Sequence, residues 1–135
     1  GKVTAVTRAA ATIAHADGAH LVAVFQPHLY SRTRDFAAGF GRALAAADVV
    51  VVMDIYGARE DPIEGVSSAL IVAAVNAARP GSTVHYIPGR EAVARTVARL
   101  ARPGDLVLTI GAGDITEVGD LILAELESRA AGVTP

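Results

Sequence analysis

Cysteine and tryptophan are absent from this sequence, and lysine and methionine each occur once. Without cysteine there is neither a disulfide framework nor a thiolate metal site. Aromatic residues make up only 4% of the chain. The core must therefore be built from small side chains, and Ala (28) with Val (17) supplies a third of the 135 residues. The longest apolar run, Ala69–Val75, has seven residues, against the ~18–20 that a membrane-spanning helix needs. A net charge of −2 with 52% hydrophobic residues excludes a disordered chain. A pI of 6.1 argues against a basic nucleic-acid binder. No basic segment followed by an apolar stretch opens the chain, so no signal peptide is expected and the location is read as cytoplasmic. Eleven of the twelve cationic residues are Arg; with the alanine load, this points to a GC-rich bacterial genome.

What is present is a regular alternation of periods. Val3, Val6, Ala10 and Ile13 recur at helical spacing, and Gly18 stops that helix. Leu21–Phe25 reads as a buried strand. Phe36, Phe40 and Leu44 mark a helix over Thr33–Ala47, with Ser31 or Thr33 as its N-cap. Val49–Asp54 is a second strand. Ser67 caps a helix carrying Leu70, Ile71, Ala74, Val75 and Ala78, and Val84–Ile87 is a third strand. Gly89 opens a helix with Val93, Val97 and Leu100 on one face. Leu106–Ile110 is the fourth strand, and Val118, Leu121, Ile122 and Leu126 define the last helix. Apolar strands alternating with amphipathic helices predict one α/β domain, a Rossmann-like, mostly parallel sheet with helices on both faces. Ligands of such sheets sit beyond the carboxyl ends of the strands.

Three strand ends carry chemistry. After the first come His28, Tyr30, Ser31, Arg32 and Arg34, running into a helix. Asp35 suits a helix N-terminus, but two Arg residues there oppose the dipole. Their expected use is to hold an anion together with helix N–H groups. After the second strand, Asp54 stands at a frequent site position, with Glu60 and Asp61 in a turn-forming stretch. After the fourth, Gly111, Gly113 and Asp114 form a glycine-rich turn able to wall a pocket. It is no P-loop, since no Gly-Lys-Ser/Thr follows, and Asp114 with Glu117 also reads as a capping pair. Arg95, Arg99 and Arg102 form a basic stripe without interleaved aromatics, read as a solvated face. His15, His20 and His85 lack metal-ligand spacing and are read as structural.

The string Val24-Phe-Gln-Pro-His-Leu-Tyr-Ser-Arg-Thr-Arg34 resembles the C-terminal domain of the Mur ligase family, in its UDP-N-acetylmuramate–L-alanine branch. The resemblance continues through Ala47–Ile63 and Pro103–Ile115, covering essentially the whole chain in order. It implies a three-domain enzyme of peptidoglycan synthesis: a domain for the UDP-sugar, a central P-loop domain for ATP and Mg²⁺, and this domain for L-alanine. ATP would phosphorylate the sugar's carboxylate, and the alanine amine would attack the acyl phosphate. By the same resemblance, His28 and Arg32 belong to the L-alanine site, with Tyr30, Ser31, Arg34, Asp54, Gly111, Gly113 and Asp114 as possible pocket residues. Some members have Arg where Leu29 stands here.

The family also has a strand ending in Asp-Asp-Tyr-x-His-His-Pro ahead of the helix that opens this chain. The 135 residues are therefore expected to be that domain without its first strand and without the upstream domains. Such a fragment should be inactive alone, hold no metal or ATP, and self-associate through the exposed strand edge. The rival reading, from another class, is a stand-alone α/β module for an anionic small metabolite. An Arg-stripe module for nucleic acid is a third.

Overall fold

The computed structural model describes residues 2–111 and 113–132. Its elements are α1 (Lys2–Ala16), β1 (Leu21–Gln26), α2 (Tyr30–Leu44), β2 (Val49–Val52), α3 (Ala69–Ala78), β3 (Thr83–Tyr86), α4 (Arg90–Leu100), β4 (Leu106–Gly111) and α5 (Ile115–Ala130). The strands form one all-parallel sheet in the order β3-β2-β1-β4.

Alternation along the strands divides the interior into two cores. Leu21, Ala23 and Phe25 of β1, with Val50 and Val52 of β2, face Ala11, Ala14, Leu44, Ile71 and Val75 of α1, α2 and α3. Val22, Val24, Val51 and Met53 face the opposite way, onto Val93, Ala94 and Val97 of α4 and Ile115, Val118 and Ile122 of α5. Every residue of β1 is buried, as a strand covered on both faces and both edges must be. β4 lies at the end of the sheet, and Leu106–Ile110 are only half-buried.

The small residues are used for close approach. A Cβ on Gly41 of α2 would lie 2.4 Å from the Cβ of Ala74 in α3. Arg79 Nη1 then donates to the carbonyls of Ala45 and Ala47 (3.1 and 3.2 Å), satisfying groups just past the end of α2. At the amino edge of the sheet, Asp48 Oδ2 accepts from the Leu21 amide and lies 2.8 Å from His15 Nε2. Asp105 accepts there from the amides of His20 and Arg102 (3.0 and 2.9 Å).

Several expected details are corrected. The buried stripe of α1 is Thr7, Ala11 and Ala14 with Val3 and Ala10 alongside, while Val6 and Ile13 are exposed. On α4, Ala94 and Ala98 are buried where Leu100 was expected, and Leu100 is exposed. Phe36 is likewise exposed, although it shares the period of Phe40 and Leu44. β2 stops at Val52 rather than Asp54, because the chain beyond Met53 peels away toward the β1 loop. α2 spans Tyr30–Leu44 rather than Thr33–Ala47. Thr33 is inside its first turn, with its hydroxyl donating back to the Leu29 carbonyl at 2.8 Å. Neither Ser31 nor Thr33 is the N-cap.

Candidate functional site

β1 leads to β2 on one side and has β4 on the other. The loops leaving β1 and β4 therefore diverge, and a crevice opens between them at the switch point of the sheet. A cavity of about 400 Å³ occupies that crevice, lined by Gln26, His28, Leu29 and Arg32 from the β1 side and by Ile110 and Gly111 from β4. A second groove of about 460 Å³ shares Arg32 and Phe40 with it and runs between α1 and α2 past Lys2, Phe36 and Arg42. Arg32 and His28 both stand exposed at this end of the sheet.

The β1 loop is held from both directions. Tyr56 N–H donates to the Pro27 carbonyl (2.8 Å) and Leu29 N–H donates to the Tyr56 carbonyl (2.9 Å), a single parallel bridge that joins His28 to Tyr56. Leu29 takes φ 66° and ψ 140°, a conformation that costs a non-glycine residue on the order of 1–3 kcal/mol. Its amide is fixed by Tyr56, and its carbonyl accepts from both the amide and the hydroxyl of Thr33. The surrounding bonds therefore impose the turn that swings the chain into α2.

The α2 N-terminus is not open to a ligand in the way the sequence suggested. The Glu60 carboxylate reaches it from the β2 loop, accepting from the Ser31 amide at 2.9 Å and the Ser31 hydroxyl at 2.5 Å. Those bonds, the hydroxyl's first, hold the Glu60 carboxyl below its ordinary value. The anion that the helix end stabilises is thus the chain's own. The two arginines also part company. Arg34 is exposed and paired with Asp35 (2.9 Å), while the Arg32 guanidinium lies 5.4 Å from the centre of the Phe36 ring. No described carboxylate lies within ion-pair distance of Arg32.

His28 is exposed and stacked on Tyr56, ring centres 6.1 Å apart at 22°. The glycine-rich turn also packs against Tyr56. At Gly113 (φ 80°) a Cβ would fall 2.4 Å from the Tyr56 ring, and at Gly111 (φ 134°) it would fall 2.3 Å from the Gln26 carbonyl. Both glycines thus let the turn approach β1 and Tyr56, where the sequence suggested close approach to a ligand; Ala112 lies outside the described residues. The capping pair is not made. Asp114 N–H donates to Gln26 Oε1 (2.9 Å), and Glu117 pairs instead with Arg90.

Asp54 is near these residues in the chain's path but opens on a different pocket. Its carboxylate lines a cavity of about 280 Å³ with Tyr30, Pro62 and Ser67. It accepts from the Tyr86 hydroxyl, which is pushed up to about 12 first by that bond and then by desolvation. The structure therefore brings His28, Arg32 and Gly111 to one cavity, sets Gly113 and Asp114 behind it, and groups Tyr30 with Asp54 beside it. Gln26, Tyr56 and Glu60 are the organising residues that sequence reasoning did not single out for these roles. A lone amide ending an otherwise apolar strand was the available signal for Gln26.

Comparison with known proteins places the chain. A family model described as "Mur ligase, glutamate ligase domain" matches residues 2–113. A UDP-N-acetylmuramate–L-alanine ligase of Mycobacterium sp. (strain JLS) is 52% identical over 96% of this chain and 27% of its own length. The ligase of that name from Kineococcus radiotolerans is 53% identical over 95% of this chain and 26% of its own. That from Mycobacterium bovis (strain BCG / Pasteur 1173P2) is 51% identical over 88% and 23%. The chain thus spans about a quarter of the length of the curated relatives it matches.

Proposed function

The chain belongs to the Mur ligase family, and from that premise we propose that it is the C-terminal, amino-acid-binding domain of a UDP-N-acetylmuramate–L-alanine ligase. The observation that carries the reading is Arg32, an exposed guanidinium without a carboxylate partner among the described residues, on one cavity with His28 at the sheet's switch point. A small zwitterion needs a cation for its carboxylate while its amine stays free to attack. Arg32 supplies the first, and His28 lines the pocket in which the amine is held. Fixing the amine toward an acyl phosphate converts a bimolecular attack into a positioned one. Arg34, paired with Asp35, is a weaker candidate for that carboxylate.

ATP and Mg²⁺ would activate the sugar's carboxylate in such a ligase. The residues present do not fit them: the sequence has no Gly-Lys-Ser/Thr loop, and among the described residues no three His, Asp or Glu side chains stand together. We assign ATP, Mg²⁺ and UDP-N-acetylmuramate to other domains of the ligase and only L-alanine to this one, so that this domain alone is inactive. No described helix is long and apolar enough to cross a membrane, and we place the ligase in the bacterial cytoplasm, where its nucleotide substrates are. Identity of 51–53% to three UDP-N-acetylmuramate–L-alanine ligases favours this reading over a stand-alone module for an anionic metabolite.

The test is phosphate release by the full-length ligase that carries this domain. Release should require both UDP-N-acetylmuramate and L-alanine. Release supported by D-glutamate instead, or by neither amino acid, would refute the assignment.

A further inference from the structure

We propose that Gln26 is a positioning residue whose buried side-chain amide clamps the two turns that fix the His28–Tyr56 stack. Gln26 ends β1 and is 3% exposed, yet it lines the cavity that holds His28 and Arg32. Its Oε1 accepts from the Asp114 amide at 2.9 Å, and its Nε2 donates to the Asp54 carbonyl at 3.3 Å. One planar group thus ties the turn after β4 and the segment after β2 to the end of the strand between them.

Both tethers lead to His28. Asp114 follows Gly113, whose backbone lies so close to the Tyr56 ring that a Cβ there would overlap it. Asp54 lies two residues before Tyr56, whose main chain is bonded to Pro27 and Leu29 on either side of His28. Tyr56 in turn stacks on the imidazole. His28 itself makes no side-chain hydrogen bond to a described residue in the structure, so its orientation depends on Tyr56 and on the loop backbone.

The function of the amide is specific to its chemistry. One arm must accept and the other must donate, which an amide does without a charge. A carboxylate accepts only, and a leucine does neither. A buried polar arm left without a partner also leaves its own former partner unsatisfied, so the two turns should loosen separately according to which arm is removed.

This inference rests on the amino-acid reading only for its catalytic consequence, so the experiment has two arms. Gln26→Leu and Gln26→Glu are made in the 135-residue chain, and amide exchange and the His28 ring resonances are followed by NMR. The Leu21 amide, held by Asp48 at the other end of the sheet, reports that each variant is folded. Gln26→Leu should lower protection of the Asp114 amide about tenfold. Gln26→Glu should keep that protection within about threefold. Both should shift the His28 ring signals. The same variants in the full-length ligase should raise KM for L-alanine more than they lower kcat.

Unchanged Asp114 protection in a folded Gln26→Leu chain would overturn the clamp, as would unmoved His28 signals in both variants. If Gln26→Glu does not fold, Gln26→Leu decides; if Gln26→Leu does not fold, loss of the His28 shift in Gln26→Glu decides. The expected exchange and ring shifts with an unaltered alanine KM would uphold the clamp and count against the L-alanine site alone.

Discussion

Gly41 and Gly39 lie two residues apart in α2, and the structure assigns opposite signs to the same substitution at the two. A Cβ on Gly41 would stand 2.4 Å from the Ala74 Cβ and 2.5 and 2.7 Å from the Ala74 carbonyl carbon and oxygen. None of these atoms is the end of a flexible side chain. To restore ordinary contact, α2 and α3 must separate by about 1 Å, disturbing Leu44, Ile71 and Val75 beneath them. Overpacking of this kind costs ~1–3 kcal/mol, and the rigid backbone places Gly41→Ala toward the upper end. Ala gains about 1 kcal/mol over Gly in a helix interior, so the net loss should be about 1–2 kcal/mol. In a domain of this size Tm should fall by roughly 3–10 °C. Gly39 meets only Arg42 Nη2, at 3.9 Å. Gly39→Ala should therefore keep the helix gain and raise Tm by roughly 2–5 °C. Matched thermal melts by circular dichroism at one concentration read both. Adding Ala74→Gly to Gly41→Ala should rescue little, because the backbone of residue 74 remains in the way. A Gly41→Ala protein melting at or above the parent would refute the packing argument, and full rescue by Ala74→Gly would show that only the two methyl groups collide.

Three further outcomes are expected. In the full-length ligase, Arg32→Ala should raise the apparent KM for L-alanine by about 10–100-fold, the loss of a charge-assisted carboxylate contact; unchanged alanine kinetics would remove Arg32 from the site. Glu60 has its carboxyl held low by Ser31, so the folded state binds its proton less readily than the unfolded chain does. The stability it contributes is present above the ordinary value of 4.5 and is lost as pH falls through the lower folded value. Glu60→Gln should flatten the acid limb of a stability–pH curve below 4.5, and an unaltered limb would count against the α2 cap. β4 is an edge strand with neither a charge nor a proline over Leu106–Gly111, a template for pairing with another chain. The 135-residue chain should therefore self-associate as its concentration rises, and Thr109→Lys should reduce that association; sedimentation showing a concentration-independent monomer would contradict it.

The sheet and its helices were legible in the sequence because both are decided locally. Val22–Val24 and Val49–Val52 are too apolar to sit anywhere but between two layers, and the 3.6-residue periods name Val93 and Val97 of α4 and Val118 and Ile122 of α5 as buried without reference to a partner. The strand-end loop with His28 and Arg32 was equally plain, since its polar residues follow an apolar strand and lead into a helix. What the sequence could not contain is the choice among equivalent claimants. Val6, Ile13 and Phe36 have the hydropathy of core residues, but the axial rotation of α1 and α2 is set by their close packing against neighbours, which favours Ala and Thr at the contacts. Ser31, Thr33 and Asp114 are all good caps locally. Glu60, distant in sequence, takes the α2 terminus because the bridge between His28 and Tyr56 brings the β2 loop beside it. Gln26 reads as one polar residue at a strand end until the order β2-β1-β4 puts a carbonyl and an amide on either side of it. Hydropathy and period belong to a segment by itself; hydrogen-bond partners belong to the pairs of segments that only the folded sheet brings together.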